Sequence, residues 1–229
     1  MQIDTLKCKN CPVKSCAASV LENHELELMS CNVSEAGFGK GETLFKEKIF
    51  NSHVAYIQSG LVKIHMSATG GKDYMINLVK APAYLGLATI FGDRVNNYSA
   101  TALAPTTACF INIETFKKLI HTNGSFAYEI IADISRNELL DYKRFALQSH
   151  KQTSGRIAGV ILYFADKVYQ NDCFELPVSR NEIAELIGIS RESVTRALMN
   201  LKKDGVINID KHHVHILKMD SLRAIDRAG

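Results

Sequence analysis

The chain reads as an α+β protein in three successive parts: an antiparallel β-roll, a long connecting helix and a winged helix–turn–helix. Three observations predict this. From about Ala36 to Ile113 short segments rich in Val, Ile, Tyr and Thr alternate with glycines, as in a small roll or sandwich. The stretch Ser125 to Ser149 contains no Gly or Pro, which favours one uninterrupted helix. Two serine-led helical segments separated by Gly188 then follow from Ser179 onward.

With 229 residues the chain accommodates two modest domains. We expect a cysteine-containing segment over 1–20, the roll over 21–122, the connecting helix over 123–150 and the winged domain over 151–229. Hydrophobic residues make up 46% and charged residues 22%, which excludes global disorder. The longest apolar run, Ala158 to Ala165, is too short for a membrane span. Because the start of the chain carries no secretory signal, a cytoplasmic location is expected. Net charge is only +3 and evenly spread, so nucleic-acid binding has to rest on geometry rather than on a polybasic tail.

Taken in order, residues 7–16 lack helical or strand periodicity, and a short helix is expected through Leu21 to Leu28. The roll segments include Gly39 to Phe45, Ala55 to Ile64 and Tyr74 to Leu78. In the long helix Phe126, Ile130, Ile134 and Phe145 fall near one stripe, which also passes close to Glu138 and Asp141. Ile130, Ile134, Glu138, Asp141 and Phe145 thus lie near one seam in which the charges are out of place, and across a twofold contact such like charges would oppose association. A further helix is expected over Arg156 to Tyr169, with Ile157, Val160, Ile161 and Phe164 inward.

Ser179 with Glu182 fits a capping box at the start of a short helix that ends at Gly188. Ser190 caps a second helix reaching about Asp204, whose Val194, Ala197, Leu198 and Leu201 form an apolar stripe. Its other side presents Arg191, Glu192, Thr195 and Arg196 near the N-terminal end, side chains suited to base edges and phosphates of a major groove. Two strands around Asp210 to His213 complete a wing.

The segment Ile189-Ser190-Arg191-Glu192-Ser193-Val194-Thr195-Arg196 resembles the recognition helix of the CRP/FNR transcription regulators, and the likeness extends over essentially the whole chain. It implies a cyclic-nucleotide-binding-like jelly roll, a homodimer and a palindromic double-stranded DNA site. Glu192 and Arg196 correspond to the family's base-reading pair, Arg191 to an arginine of the cyclic-AMP branch and Thr195 to a serine of the oxygen-sensing branch. Contact with RNA polymerase is also implied, with Gly92 to Asn97 a candidate surface. Asp141 corresponds to an acidic residue of the FNR dimer helix.

The likeness also separates the inputs. The cyclic-AMP branch places a glutamate after a glycine and an Arg-Ser pair on a later strand, whereas this chain has Gly86-Leu87-Ala88 and Tyr98-Ser99. Cyclic AMP is therefore not expected. The FNR branch holds a [4Fe-4S] cluster with three N-terminal cysteines and one from the roll, matched here by Cys8, Cys11, Cys16 and Cys109. Four residues separate Cys11 from Cys16, where the best-known FNR proteins have five. Four thiolates suit iron and sulfide. Zinc on Cys8, Cys11, Cys16 and Cys31, thiol–disulfide chemistry, and haem through His24, His53, His65 or His121 are the alternative inputs. Cys31 is otherwise a small buried hydrophobe and Cys173 a structural residue. Rolls also occur in cupin enzymes, yet no converging acid, base or nucleophile is evident, so no enzyme is expected. The wing histidines His212, His213 and His215 read as surface.

Overall fold

The computed structural model describes residues 7–67, 73–92 and 94–229, and the side chains of 147–149 are left aside. The chain divides into two compact units. The first takes in residues 1–67 and 78–139, the second residues 68–77 and 140–229. The division falls inside the long helix rather than at its end.

The first unit opens with the short helix α1 (Cys16–Ser19) and with α2 (Asn23–Cys31), which starts and ends slightly later than the sequence suggests. Eight strands follow: β1 (Val33–Phe38), β2 (Thr43–Phe45), β3 (His53–Ser59), β4 (Leu61–Ser67), β5 (Asp73–Lys80), β6 (Ala83–Leu85), β7 (Ser99–Ala102) and β8 (Thr106–Asn112), with residues 73–77 of β5 falling to the second unit. They form two four-stranded sheets in the orders β1-β8-β3-β6 and β2-β7-β4-β5. Pairing is antiparallel, with Tyr56 opposite both Cys109 and Tyr84. Between β6 and β7 lies α3 (Leu87–Phe91).

Because side chains alternate across a strand, β3 and β8 have two working faces. Val54, Tyr56, Cys109 and Ile111 point to one side and pack with Leu26 and Met29 of α2 and with α4 (Ile113–Thr122). Asn112 caps α4 by accepting from the amides of Glu114 and Thr115. Phe116 is fully buried and meets Tyr84 and Phe126 edge-on at 5.9 and 5.3 Å. Each such ring contributes about 1.5–3 kcal/mol through burial.

The long helix α5 runs over Gly124–His150. Its Phe126 and Ile130 belong to this core. In the second unit α6 (Thr153–Leu162) passes directly into a π-helical stretch, Tyr163–Tyr169, where a continuous α-helix was expected. The wing has three strands rather than two: β9 (Cys173–Glu175) pairs with β11 (His213–Ile216), which pairs with β10 (Ile207–Asp210). A last helix absent from the sequence reading, α9 (Met219–Ala228), packs on α6. Gly159 makes room for it, since a Cβ there would stand 2.7 Å from Asp226 Oδ1.

Candidate functional sites

The helix–turn–helix consists of α7 (Arg180–Ile187) and α8 (Arg191–Lys203). The expected capping box is present, Ser179 accepting from the Glu182 amide and Glu182 accepting from the Ser179 amide. Gly188 ends α7 at φ 67°, a conformation that a side chain disfavours, and the Ile189 amide donates to the Ala184 carbonyl at 3.0 Å. Ser190 caps α8 and also donates to Ser193 Oγ at 3.0 Å. Both proposed serines thus hold helix ends in place. Val194 and Leu198 are buried, which turns Arg191, Glu192 and Arg196 to solvent and leaves Thr195 half-buried.

Arg180, which sequence reasoning missed, donates from Nη1 to Thr195 Oγ1 at 3.4 Å. Arg156 reaches the Ile187 carbonyl at 3.2 Å and Lys202 reaches the Ile209 carbonyl at 2.8 Å, tying the turn to α6 and the helix to the wing. Arg196 and Asn200 share a cleft of about 520 Å³ with Gln152, Thr153 and Ser154 at the start of α6.

The N-terminal cysteine loop rests on the first unit's helix-facing sheet surface. Tyr56 donates its hydroxyl to the Val13 carbonyl at 2.8 Å, Ser15 Oγ lies 2.7 Å from Tyr84 Oη, and the Cys8 amide donates to Ser30 Oγ at 2.9 Å. Cys8, Cys11 and Cys109 line one cavity of about 40 Å³, together with Tyr56 and Gln58. Gln58 Nε2 donates toward Cys11 Sγ at 3.6 Å and Cys109 Sγ toward Glu35 Oε2 at 3.9 Å. Lys7 pairs with the same Glu35 oxygen at 3.4 Å.

Burial pushes the Cys109 thiol up to about 12, with Glu35 adding to it and Lys7 opposing. Burial also raises the Cys8 thiol against a lowering hydrogen bond from Ser30. The Tyr56 phenol rises to about 12, chiefly by burial and then through the nearby Cys11, Cys16 and Cys109. Cys16, first residue of α1, is exposed.

Among the described residues no three His, Cys, Asp or Glu side chains stand at metal-binding distance. The cavity holds little more than the roughly 30 Å³ share of one water molecule. The donor chemistry of the cysteines fits a thiolate-ligated group. Cys31 is exposed at the end of α2, not buried as the sequence suggested, and Cys173 is exposed on the wing. His213 and His215 are exposed too.

At the two positions that differ from the cyclic-AMP branch, Tyr98 is bonded to the backbone of Gly86. Gly86 caps α3 at φ 83°, and its amide donates to Tyr98 Oη at 2.9 Å. The tyrosine in the arginine's place thus takes up a backbone donor itself, and Leu87 is buried.

On α5 one residue expected on the seam is taken up within the chain itself. Ile130 is 1% exposed and belongs to the roll's own core. Asp141 pairs with Arg144 at 2.9 Å. Ile134 and Phe145 are exposed, as are Tyr128, Ile131 and Tyr142. Tyr128, Ile131, Ser135, Glu138, Tyr142 and Phe145 follow the a and d positions of a heptad repeat, so Glu138 stands within the stripe and Asp141 on its flank. Asp93, within the Gly92 to Asn97 surface, and residues 1–6 lie outside the described residues.

A sensor-type roll followed by a long helix and a DNA-reading winged helix–turn–helix defines a transcription regulator, not an enzyme. Residues 36–123 match the family described as cyclic nucleotide-binding domain, and residues 155–225 that described as Crp-like helix-turn-helix domain. The transcriptional activator protein FnrA of Stutzerimonas stutzeri is 25% identical over 224 residues, covering 95% of this chain and 91% of that protein. The fumarate and nitrate reduction regulatory protein of Salmonella typhimurium is 25% identical over 227 residues, covering 96% and 90%. The solved structure of FixK2 from Bradyrhizobium japonicum superposes with a TM-score of 0.74 at 18% identity, covering 85% of this chain and 97% of that one. The chain belongs to the CRP/FNR family of DNA-binding transcription regulators, on its FNR-like branch. No described helix is long and apolar enough to cross a membrane.

Proposed function

We propose that this regulator is a cytoplasmic sensor of oxygen, redox state or nitric oxide that loads a [4Fe-4S] cluster on Cys8, Cys11, Cys16 and Cys109. The observation that carries the reading is the shared cavity of Cys8, Cys11 and Cys109, closed by a loop pinned through Tyr56, Tyr84 and Ser30. A bound cluster supplies an oxidisable centre at that junction. The residues of this chain do the rest. The Tyr56 and Tyr84 hydroxyls and the Cys8 amide hold the loop against the sheet, and Cys109 ties any change there to β8.

The exposed heptad stripe of α5 supports a homodimer, with Glu138 weakening it until loading shifts the balance. Two copies of α8 then read a palindromic double-stranded site through Arg191, Glu192, Thr195 and Arg196, with Ser179 and Ser190 holding the helix ends beside the phosphates. The Gly92 to Asn97 surface is the proposed contact with RNA polymerase. The Gly86–Tyr98 bond favours an input other than cyclic AMP.

Anaerobic purification, with a visible spectrum and iron and sulfide counts, tests this reading. We expect a brown protein with about four iron and four sulfide per chain, and a colourless protein holding one zinc overturns it.

A further inference from the structure

The outer face of the wing gathers side chains that the proposed DNA contacts do not use. The register of its three strands sets His215 opposite Cys173 and His213 opposite Glu175, with Asp210 on the other side of His213. Side chains alternate along a strand, so Phe174, Val214 and Ile216 turn inward and are buried. Cys173, Glu175, His213 and His215 therefore share the opposite face, and all four are exposed.

Backbone hydrogen bonding decides which of these neighbours come closest. The Leu176 amide donates to the His212 carbonyl and the Ile216 amide to the Asp172 carbonyl, both at 2.8 Å. An antiparallel ladder alternates, so Cys173–His215 and Glu175–His213 fall between those rungs as non-hydrogen-bonded pairs. Cα atoms in such pairs stand about 4.5 Å apart, and their side chains are closer than in hydrogen-bonded pairs. Two imidazoles two residues apart on β11 thus each face a second metal-ligating group on β9. The four side chains do not converge on one point, and among the described residues no metal-binding trio is preformed. Yet among those residues none of the four side chains is held by a hydrogen bond or an ion pair, and exposed side chains exchange rotamers in picoseconds to nanoseconds. Convergence needs side-chain rotation, with no shift of the strands.

We propose that the outer face of the wing binds one zinc ion through His213, His215 and Cys173, with Glu175 completing a tetrahedron. Imidazole, thiolate and carboxylate together match zinc, whereas sets of oxygen alone suit magnesium or calcium and sets of sulfur alone suit copper(I) or iron–sulfur clusters. The Cys173 thiol gives up its proton to solvent as the zinc–sulfur bond forms. The ion ties β9, a three-residue edge strand, to the hairpin that follows α8. None of Cys8, Cys11, Cys16 or Cys109 takes part, so this site and the cluster stand or fall separately.

Titration of the full-length, metal-free protein with zinc chloride under reducing conditions, followed by backbone amide NMR, tests it. Saturable shifts at residues 173–175 and 213–215 are expected, both in the parent and in a Cys8→Ser, Cys11→Ser variant. The double variant His213→Thr, His215→Thr keeps strand-forming residues at two exposed positions and should lose the wing shifts while its α7 and α8 signals stay in place. Cys173→Ser alone should weaken zinc binding at the wing by at least about tenfold, since even a group that only supports a ligand is worth that much. Absence of saturable wing shifts in the parent, their loss in the Cys8→Ser, Cys11→Ser variant, or their persistence in the histidine variant overturns the proposal.

Discussion

Arg144 Nη2 lies 2.9 Å from Asp141 Oδ1, one turn away on α5, and its Nη1 donates to the Ile76 carbonyl at 2.8 Å. The carboxylate is thus already matched by a positioned guanidinium, and its exposed side of α5 is the flank of the apolar stripe. Glu138 stands at a d position between Ile131 and Phe145. Replacing Glu138 by Leu should therefore tighten the cluster-free dimer by about tenfold or more, roughly 1.4 kcal/mol. Asp141→Ala should shift it by no more than about threefold, because removing a half-exposed ion pair has small effects. Sedimentation equilibrium of both variants against the parent decides; a larger effect at Asp141 would refute the heptad assignment.

The cysteines divide by position. Serine at Cys8, Cys11, Cys16 or Cys109 should each abolish the anaerobic visible absorbance, since an oxygen is a poor substitute for a soft thiolate. Serine at the exposed Cys31 or Cys173 should leave iron content within about 20% of the parent. Loss of iron in the Cys31 variant alone would transfer the fourth position from the roll to the end of α2.

Metal-free protein carries a pH signature. Burial beside Glu35 holds the Cys109 thiol near 12, against an ordinary value of 9.0. Its thiolate fraction at pH 8 is then roughly 10⁻⁴, and iodoacetamide should label Cys109 far more slowly than the exposed cysteines, with a rate rising about tenfold per pH unit. The sign for stability follows. Between about pH 9 and 12 the unfolded chain releases this proton first, so folding stability falls as pH rises through that window. Peptide mapping after timed alkylation measures the first effect and denaturant titration the second.

How much of this was legible in the sequence depends on the range of the interactions involved. The two serine caps, Gly188 and the Val194 to Leu201 stripe are local signals, and α7 and α8 begin and end where those signals place them. The three residues of β9 are too few to show alternation, and their place in the wing comes from pairing with β11, about forty residues later. A π-helical stretch such as Tyr163–Tyr169 leaves no 3.6-residue signature of its own. Ile130, expected on the seam, is buried in the roll's own core for a related reason. α5 has two apolar faces, and periodicity alone does not say that Ile130 belongs to the roll and Ile131 to solvent. Likewise, Tyr98 was recognised as a missing arginine, but its bond to the Gly86 amide needed the fold.

On the proposed DNA face, two proposed base readers differ from a residue placed to position a third. Glu192 and Arg196 are exposed on the outer side of α8, so alanine at either should cost about 1–3 kcal/mol on the preferred half-site and relax discrimination at one base pair. Arg180 instead donates to Thr195 Oγ1 from the neighbouring helix. Arg180→Ala frees the Thr195 rotamer without removing a base contact, so binding should weaken by a similar factor on every half-site variant while the order of preference stays unchanged. Fluorescence anisotropy at fixed salt, across all single-base variants of the half-site, separates the two patterns. A changed preference in the Arg180 variant would make that arginine a base reader in its own right.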